Sequence, residues 1–161
     1  MKARNPGRPS KTTRSTLKSA ANTSALDGSV GYSLRRAQLS VYSDFARVMD
    51  KFEIRPSQFA LLVIIRCNPG LTQSVVAGLL SIQKANLVSL LDSLDARGLI
   101  ERRKVAGDGR ASALFLTPNG ATFTRKIEAA HATLETKLRS RLGEKSSDRL
   151  LDLLQRFWKQ S

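Results

Sequence analysis

Apolar residues recur every three or four positions along several stretches of the chain, which is the period of amphipathic helices. The first stretch predicts one long helix from Ser29 to Phe52, and Ile54-Arg55-Pro56 breaks it. A second predicted helix contains the apolar run Phe59–Ile65 and ends at Asn68-Pro69-Gly70, where proline and glycine favour a stop. The folded part of the chain is therefore predicted to begin with two helices.

Two further predicted helices are separated by only three residues. The first covers Thr72–Leu80, with Thr72 as its cap, and its predicted inner face holds Val75, Val76 and Leu79. The second runs from Lys84 to Arg97 and is closed by Gly98. Its leucines follow a helical period, so the residues expected to point the other way are Ala85, Ser89 and Ser93, opposite Leu87, Leu90, Leu91 and Leu94.

A short hairpin and two more helices complete the predicted elements. Leu99–Val105 and Ser112–Leu116 predict strands around a tip at 106–110 that contains two glycines. Thr117 followed by Pro118 predicts the start of a helix that stops at Gly143. A last helix is expected after Ser146-Ser147-Asp148.

The charge of the chain is strongly positive and unevenly placed. The 161 residues hold 27 Lys and Arg against 13 Asp and Glu, a formal net charge of +14. Residues 1–26 carry six of these cations, no acid and few large apolar groups, so burial cannot offset the entropy of ordering them. We therefore predict a flexible basic arm over residues 1–28 and a polyanionic partner for the chain.

The side-chain inventory argues against several classes of protein. One cysteine excludes an intrachain disulfide, and one histidine argues against a zinc site or a pair of catalytic histidines. The longest apolar run, Phe59–Ile65, has seven residues, whereas a membrane span needs about 18. The sequence contains no carboxylate pair, nucleophile elbow or phosphate loop that would suggest an enzyme. We expect a cytoplasmic protein without enzymatic activity, cofactor or metal.

The short helix pair and the hairpin concentrate the candidate binding chemistry. Lys84 and Asn86 lie in the first turn of the second helix, where a recognition helix presents donors to base edges and phosphates. On this segment alone, two packed helices with a polar solvent face are an equally good interpretation. The hairpin favours DNA, because Arg102-Arg103-Lys104 runs toward a tip ending in Arg110 with few neighbouring acids.

Five short motifs in this region resemble, in order and spacing, the winged-helix core of the MarR family of bacterial transcription regulators. They are Leu71-Thr72-Gln73, Arg97-Gly98-Leu99, Arg102, Asp108-Gly109-Arg110 and Leu116-Thr117-Pro118-Asn119-Gly120. The resemblance implies a mainly α fold, a winged helix-turn-helix with a small β-hairpin wing. It covers residues 29–161, with 56–117 as the DNA-binding lobe and 29–55 and 118–161 as dimerisation helices.

The same resemblance implies a homodimer that reads a near-palindromic site in double-stranded DNA. Arg110 would then enter the minor groove, and Asp108 would pair with an arginine to hold the wing. Many members carry arginine where Ser89 and Gly109 stand here, so some phosphate contacts are expected from Arg103 and Lys104 instead. The candidate DNA-binding residues of this region are Thr72, Gln83, Lys84, Ala85, Asn86, Ser89, Arg102, Arg103, Lys104, Asp108 and Arg110.

The arm adds one further candidate. Gly7-Arg8-Pro9 is similar to the core of an AT-hook, in which Arg8 would lie at the floor of a narrow A·T minor groove. A generic solvated tail is the alternative interpretation. In either case, deleting residues 1–26 is expected to lower the affinity for DNA and its salt dependence without changing the preferred site.

Family members also respond to a small ligand or oxidant, and the first long helix holds the candidate effector residues. Cations beside phenols at Arg35, Arg36, Tyr42 and Arg47, with Tyr32 near them, suit an aromatic carboxylate or a phosphate-bearing thioester. A solvated basic face is the alternative. His131 is expected to be a core or interface residue, and Cys67 a buried structural thiol.

The sequence therefore predicts a homodimeric transcription repressor that a small effector releases from its operator. The alternative is a constitutive architectural DNA-binding protein with little sequence preference. Equal affinity for operator and random DNA would indicate that alternative.

Overall fold

The computed structural model describes residues 24–105 and 108–159, and the side chains of residues 105 and 108–111 are left aside. The chain divides after Ser40 into two units. The described residues form seven α-helices and one antiparallel hairpin, which confirms the predicted fold class. The helices are α1 (Ser24–Asp27), α2 (Val30–Met49), α3 (Pro56–Cys67), α4 (Gln73–Leu79), α5 (Lys84–Asp95), α6 (Pro118–Leu142) and α7 (Glu144–Lys159), and the strands are β1 (Ile100–Val105) and β2 (Asp108–Leu116).

The linker between α2 and α3 changes the direction of the chain in a few residues. One 3-10 turn, Asp50–Phe52, follows α2, and Glu53 then adopts a left-handed backbone conformation with φ of 52°. Arg55 is extended and Pro56 occupies the first helical position of α3, where its missing N–H costs no hydrogen bond. The predicted break at this linker is confirmed.

The hydrophobic core lies among α2, α3, α4, α5, α6 and the hairpin. Aromatic rings contribute to it, and Phe45 meets Phe59 edge to face with ring centroids 5.8 Å apart. The inner face of α4 differs from the prediction, because Val76 and Ala77 are buried whereas Val75 and Leu79 are about half exposed. The largest fully buried side chains are Met49, Leu61, Leu62, Ile65, Val76, Leu87, Leu91, Leu94, Ile100, Leu114, Ile127 and Leu134.

The hairpin is anchored to the segment that precedes α4. Ile100 pairs with Leu116 at its base, and the register continues to Lys104 opposite Ser112. On the other edge of β2, the Leu114 N–H donates to the Leu71 carbonyl at 3.0 Å, and the Gly70 N–H donates to the Leu114 carbonyl at 2.9 Å. This third short segment holds the base of the hairpin against the helical core.

A compact junction joins the hairpin to α6. Thr117 caps α6, as predicted, by accepting a hydrogen bond from the Gly120 N–H at 2.9 Å. The same hydroxyl donates to the Gly98 carbonyl at 2.7 Å. Gly120 has no room for a side chain, because an added Cβ would lie 1.8 Å from the carbonyl oxygen of Leu99.

The last two helices meet at Gly143, whose φ of +78° ends α6 as predicted. The start predicted for α7 is wrong, since this helix begins at Glu144. Ser147 lies inside it, and both its N–H and its hydroxyl donate to the Gly143 carbonyl at 2.9 Å.

Among the described residues no single helix is long and apolar enough to span a membrane. Only the bent pair α4 and α5 has the length and composition of a span when its two helices are taken together.

Candidate nucleic-acid interface

Helix α5 presents a polar face at its N-terminal end. Leu87, Leu91 and Leu94 are buried beneath it, as the leucine period predicted. Gln83 caps the helix with an extended backbone but makes no side-chain cap hydrogen bond. The exposed candidates of this helix and its cap are Gln83, Lys84, Ala85, Asn86 and Ser89, so the structure brings five predicted residues to one surface.

Two predictions for the helix pair need correction. Ser93 does not point to solvent, because it is half-buried and its hydroxyl accepts a hydrogen bond from Gln58 Nε2 at 2.9 Å. Thr72 occupies the N-cap position of α4, but its side chain makes no cap hydrogen bond. Thr72 instead forms an isolated backbone bridge to Ala113 of β2 and is half-buried. Its backbone therefore has a structural role that the sequence did not indicate.

The wing cations are better paired than the sequence suggested. Arg102 forms an ion pair with Asp92, and its Nε lies 3.6 Å from Asp95 Oδ2. This Nε is buried and has no hydrogen-bond partner. Both aspartates belong to α5, so Arg102 connects the hairpin to the helix beside it. The expectation that the wing cations have too few acids nearby is wrong at this position.

Arg103 also has an acidic neighbour, whereas Lys104 is exposed without an ion pair among the described contacts. The Arg103 Nε donates to Glu101 Oε1 at 3.1 Å. Its guanidinium lies over the ring of Phe115, 4.2 Å from the centroid. Arg103 remains more than half exposed, so its cation is held in place yet accessible to an anion.

Three candidates lie outside the side chains that the structure describes. Arg8 belongs to residues 1–23, and the side chains of Asp108 and Arg110 are among those left aside. The backbone of residues 108–110 belongs to β2, so this strand extends four residues further toward the tip than predicted. The predicted pairing of Asp108 with an arginine stays a prediction.

A cleft between α3 and α5 was missing from the sequence prediction. Its walls include Asn86 and Ser89 on one side and Ser57 and Gln58 on the other, with Arg97 at one end. Gln58 is the third residue of α3, and the Arg55 N–H donates to its Oε1 at 3.0 Å. Glutamine at the third position of a helix is typical of a capping box. The sequence could therefore have indicated that Gln58 bonds back to the start of α3.

The candidate effector residues divide between the two units. In the first unit, Arg36 Nη1 donates to the Tyr32 hydroxyl at 3.1 Å, which raises the pKa of the guanidinium, and Arg35 is exposed. In the second unit, Tyr42 is exposed and lines a hollow with Phe45. Arg47 forms an ion pair with the carboxylate of Asp44 and is therefore less available to a ligand.

Asp44 is a buried carboxylate surrounded by three cations. Arg141 Nη1 lies 2.6 Å from Oδ2, Arg47 Nη1 lies 2.9 Å from Oδ1, and Lys137 Nζ lies 3.9 Å from Oδ1. The hydrogen bond from Arg141 lowers the pKa of Asp44 despite the opposing effect of burial, and the positive charges of all three neighbours add to the lowering. This cluster ties the end of α2 to the end of α6.

The structure agrees with the burial predicted for His131 but not with the burial predicted for Cys67. His131 is half-buried and stacks on the Phe59 ring at a centroid distance of 4.5 Å, in agreement with a core role. Cys67 is exposed, so the predicted buried thiol is wrong. Arg66 Nη2 lies 3.5 Å from its sulfur.

In the described part of the chain, no group of three or more His, Cys, Asp or Glu side chains could hold a metal ion.

The arrangement of α4, α5 and a basic hairpin is a winged helix-turn-helix, a class of DNA-binding domain. Residues 52–111 match the MarR family. The chain is also 31% identical over 137 residues to a transcriptional regulatory protein assigned to the hcr operon of Thauera aromatica, covering 84% of this chain and 82% of that protein. The chain therefore belongs to the MarR family and is a winged-helix transcription regulator, as the motifs predicted.

Other relatives and solved structures agree with this assignment. The regulator PecS of Dickeya dadantii is 26% identical over 129 residues, 78% of each chain. The transcriptional repressor CouR bound to a 23-mer DNA duplex superposes with a TM-score of 0.82 at 34% identity, covering 85% of this chain and 97% of CouR. CouR bound to p-coumaroyl-CoA gives a TM-score of 0.81 at 32% identity, over 87% and 99% of the two chains.

Proposed function

We propose that this protein is a homodimeric repressor that binds a near-palindromic operator and is released by a small acidic effector. The observation that carries the proposal is the shared exposure of Lys84, Asn86 and Ser89 at the start of α5 beside a basic wing. A helix of this kind fits the major groove, where asparagine can pair with adenine and lysine can reach guanine or phosphate.

The wing and the arm supply the less specific contacts in this proposal. Arg103 and Lys104 bind phosphates, since both cations are exposed on β1. Arg110 and Arg8 are proposed to enter the minor groove. The net charge of +14 supports a large electrostatic share of the binding free energy, which must then fall steeply with salt.

The apolar surface of α7 supports the homodimer. Leu150, Leu151 and Trp158 lie close to one helical stripe and are between 39% and 62% exposed. Leu142, at the end of α6, is 50% exposed. A cluster of large apolar groups at one end of a chain marks an association surface, and a two-fold dimer matches a palindromic DNA site.

The proposed effector is an aromatic acid or its coenzyme A thioester. The repressor CouR, at 32% identity, has been solved with p-coumaroyl-CoA. In this chain Arg35 and Arg36 are exposed cations that suit phosphates, and Tyr42 lines a hollow with an apolar component. We propose that an effector binding to Arg35 and Arg36 shifts the protein toward a form with low DNA affinity.

Fluorescence anisotropy tests the DNA-binding proposal. The full chain is titrated onto the DNA upstream of its own gene and onto a scrambled duplex over a salt series. Tight, salt-sensitive binding to the first duplex, with a footprint over two half-sites one helical turn apart, is the expected result. Equal affinity for the two duplexes would make the protein an architectural DNA binder and end the repressor proposal.

Sedimentation velocity tests the dimer with two matched double variants. Changing Leu150 and Leu151 to glutamine is expected to favour the monomer, because it removes apolar area from the association surface. Changing Lys145 and Arg149 to glutamine alters the opposite face of the same helix and is the control. A monomeric wild-type protein would refute the dimer and would leave the result of the DNA-binding experiment unaffected.

The effector is tested by adding p-coumaroyl-CoA, p-coumaric acid or free coenzyme A to the preformed DNA complex. Release by the thioester or the acid at low micromolar concentration, with no effect of coenzyme A alone, is expected. Replacing Arg35 and Arg36 by glutamine is expected to raise the concentration needed. No release by any of the three would remove this effector class from the proposal.

A further inference from the structure

The flank of α5 that faces α3 is held by hydrogen bonds as well as by apolar packing. Gln58 donates from Nε2 to Ser93 Oγ at 2.9 Å, and Ser93 Oγ donates to the Leu90 carbonyl at 2.7 Å. The other end of Gln58 accepts the Arg55 N–H. A continuous chain of polar contacts therefore connects the start of α3 with the middle of α5, and its central members are half-buried.

A second set of contacts fixes the end of the same helix. Arg97 donates from Nη1 to the Glu53 carbonyl and from Nη2 to the Phe52 carbonyl, both at 3.0 Å. Its guanidinium also lies over the ring of Phe123 in α6, 5.2 Å from the centroid. One side chain thus ties α5 to the linker after α2 and to the first turns of α6.

We infer that Gln58 and Arg97 are positioning residues that set the sequence preference of α5 without contacting DNA. This inference rests on the proposed function, since it concerns how α5 reads an operator. Gln58, Ser93 and Arg97 together are called the polar clamp below. The proposed DNA contacts, Asn86 and Ser89, belong to α5 and line the same cleft as the polar clamp.

The polar clamp restrains rotation of α5 about its own axis. The buried leucines hold the helix against the core along one narrow arc, and apolar packing is non-directional. Hydrogen bonds are directional and weaken steeply with angle, so the polar clamp restrains the rotation that packing leaves open. A base contact made by Asn86 needs similar angular accuracy, whereas a phosphate contact made by a long cation tolerates small rotations.

The test compares variants that remove hydrogen bonds of the polar clamp without changing its net charge. Arg97→Lys keeps the positive charge but cannot bond two carbonyls in a fixed fork, and Gln58→Met keeps the length but removes the polar atoms. Ser93→Ala is the mildest variant and guards against loss of folding in the others. The control is Arg66→Met, which removes another arginine that links two elements, through Glu128 of α6 at 2.8 Å, but does not touch α5.

The measurement is the ratio of the dissociation constants for scrambled and upstream DNA, with the salt slope and the thermal midpoint of each variant. For Gln58→Met, Ser93→Ala and Arg97→Lys we expect the ratio to fall roughly three- to tenfold, the factor that corresponds to one lost hydrogen bond. Affinity for scrambled DNA and the salt slope should stay unchanged. Arg66→Met should leave the ratio unchanged.

Two results would overturn the inference. An unchanged ratio in all three folded variants would show that packing alone orients α5. A parallel loss of affinity for both duplexes, with a smaller salt slope in an added Arg97→Met variant, would make Arg97 a phosphate contact. Wild-type protein that does not distinguish the duplexes would refute the proposed function, and the inference with it.

Discussion

Arg102 of the first wing strand forms an ion pair with Asp92 of α5, and its buried Nε lies 3.6 Å from Asp95 Oδ2. The predicted DNA contact of Arg102 stays a prediction, and the geometry adds a contact between the wing and α5 that the sequence did not indicate. The negative charges of the two aspartates oppose the attraction between Arg102 and a phosphate.

The variant Arg102→Gln tests this contact. We expect a loss of about 1 kcal/mol in the free energy of unfolding, a modest value because both aspartates are largely exposed. DNA affinity should fall for operator and scrambled sequences alike, while the salt slope stays close to that of the wild type. Urea unfolding and anisotropy supply the two measurements. Arg103→Gln is the control, and it should instead lower the salt slope by about 1.

Gly120 gives the sharpest prediction about stability. Gly120→Ala forces a methyl group against the Leu99 carbonyl oxygen and must displace the hairpin base or α6. We expect a loss of about 2–4 kcal/mol in the free energy of unfolding. Gly78→Ala is the matched control, because a Cβ at Gly78 meets nothing within 4 Å and alanine favours the helix by about 0.5–1 kcal/mol. Equal stability of the two variants would contradict the close approach.

Helix α5 is predicted to make two kinds of contact with DNA. Lys84→Ala should weaken binding to all sequences and reduce the salt slope by about 1, as expected for one lost phosphate contact. Asn86→Ala should leave the slope unchanged and relax the preference at one base pair, at a cost of about 1–3 kcal/mol on the preferred site. Anisotropy with a set of single-base operator variants separates the two effects. Identical behaviour of both variants would be evidence against the proposed orientation of α5.

The lowered pKa of Asp44 predicts that the free energy of unfolding decreases at acidic pH. Because its pKa is lowered in the folded chain, its stabilising contribution is complete above the ordinary pKa of about 4 and is lost as the pH falls through the lowered folded value. Urea unfolding between pH 2.5 and 7 should show wild-type stability declining over the acidic end of that range. Asp44→Asn should be less stable at pH 7 and less sensitive to acid. A parallel acid decline in both proteins would show that other carboxylates dominate.

Local signals in the sequence predicted the parts of the fold that depend on local physics. Thr117-Pro118 located the start of α6 because an N-cap hydroxyl and a proline at the first position act within one turn. The leucine period of α5 likewise found its buried face. Short helices were harder, since α4 has only seven residues, and its apolar residues did not establish which of them are buried.

Several errors concern contacts between residues that lie on different elements, and one concerns the start of a helix. Ser93 was expected to face solvent, but its partner Gln58 lies 35 residues earlier. Arg102 finds its acids on the preceding helix, ten and seven residues back. The last helix was expected after Ser146-Ser147-Asp148, but α7 begins at Glu144. The Ser147 hydroxyl donates to the Gly143 carbonyl from inside this helix, a common alternative for serine. Single positions do not reveal such partners before the fold brings them together.

The placement of Trp158 near the end of α7 gives the molecule a built-in optical probe. The chain has one tryptophan, and its side chain is 62% exposed on the surface proposed for association. Indole emission shifts to shorter wavelength when water is excluded, so dilution of the unlabelled protein should shift it back toward red as subunits separate. If the chain dimerises through this surface, its subunit equilibrium can be followed in the presence or absence of DNA without adding a dye.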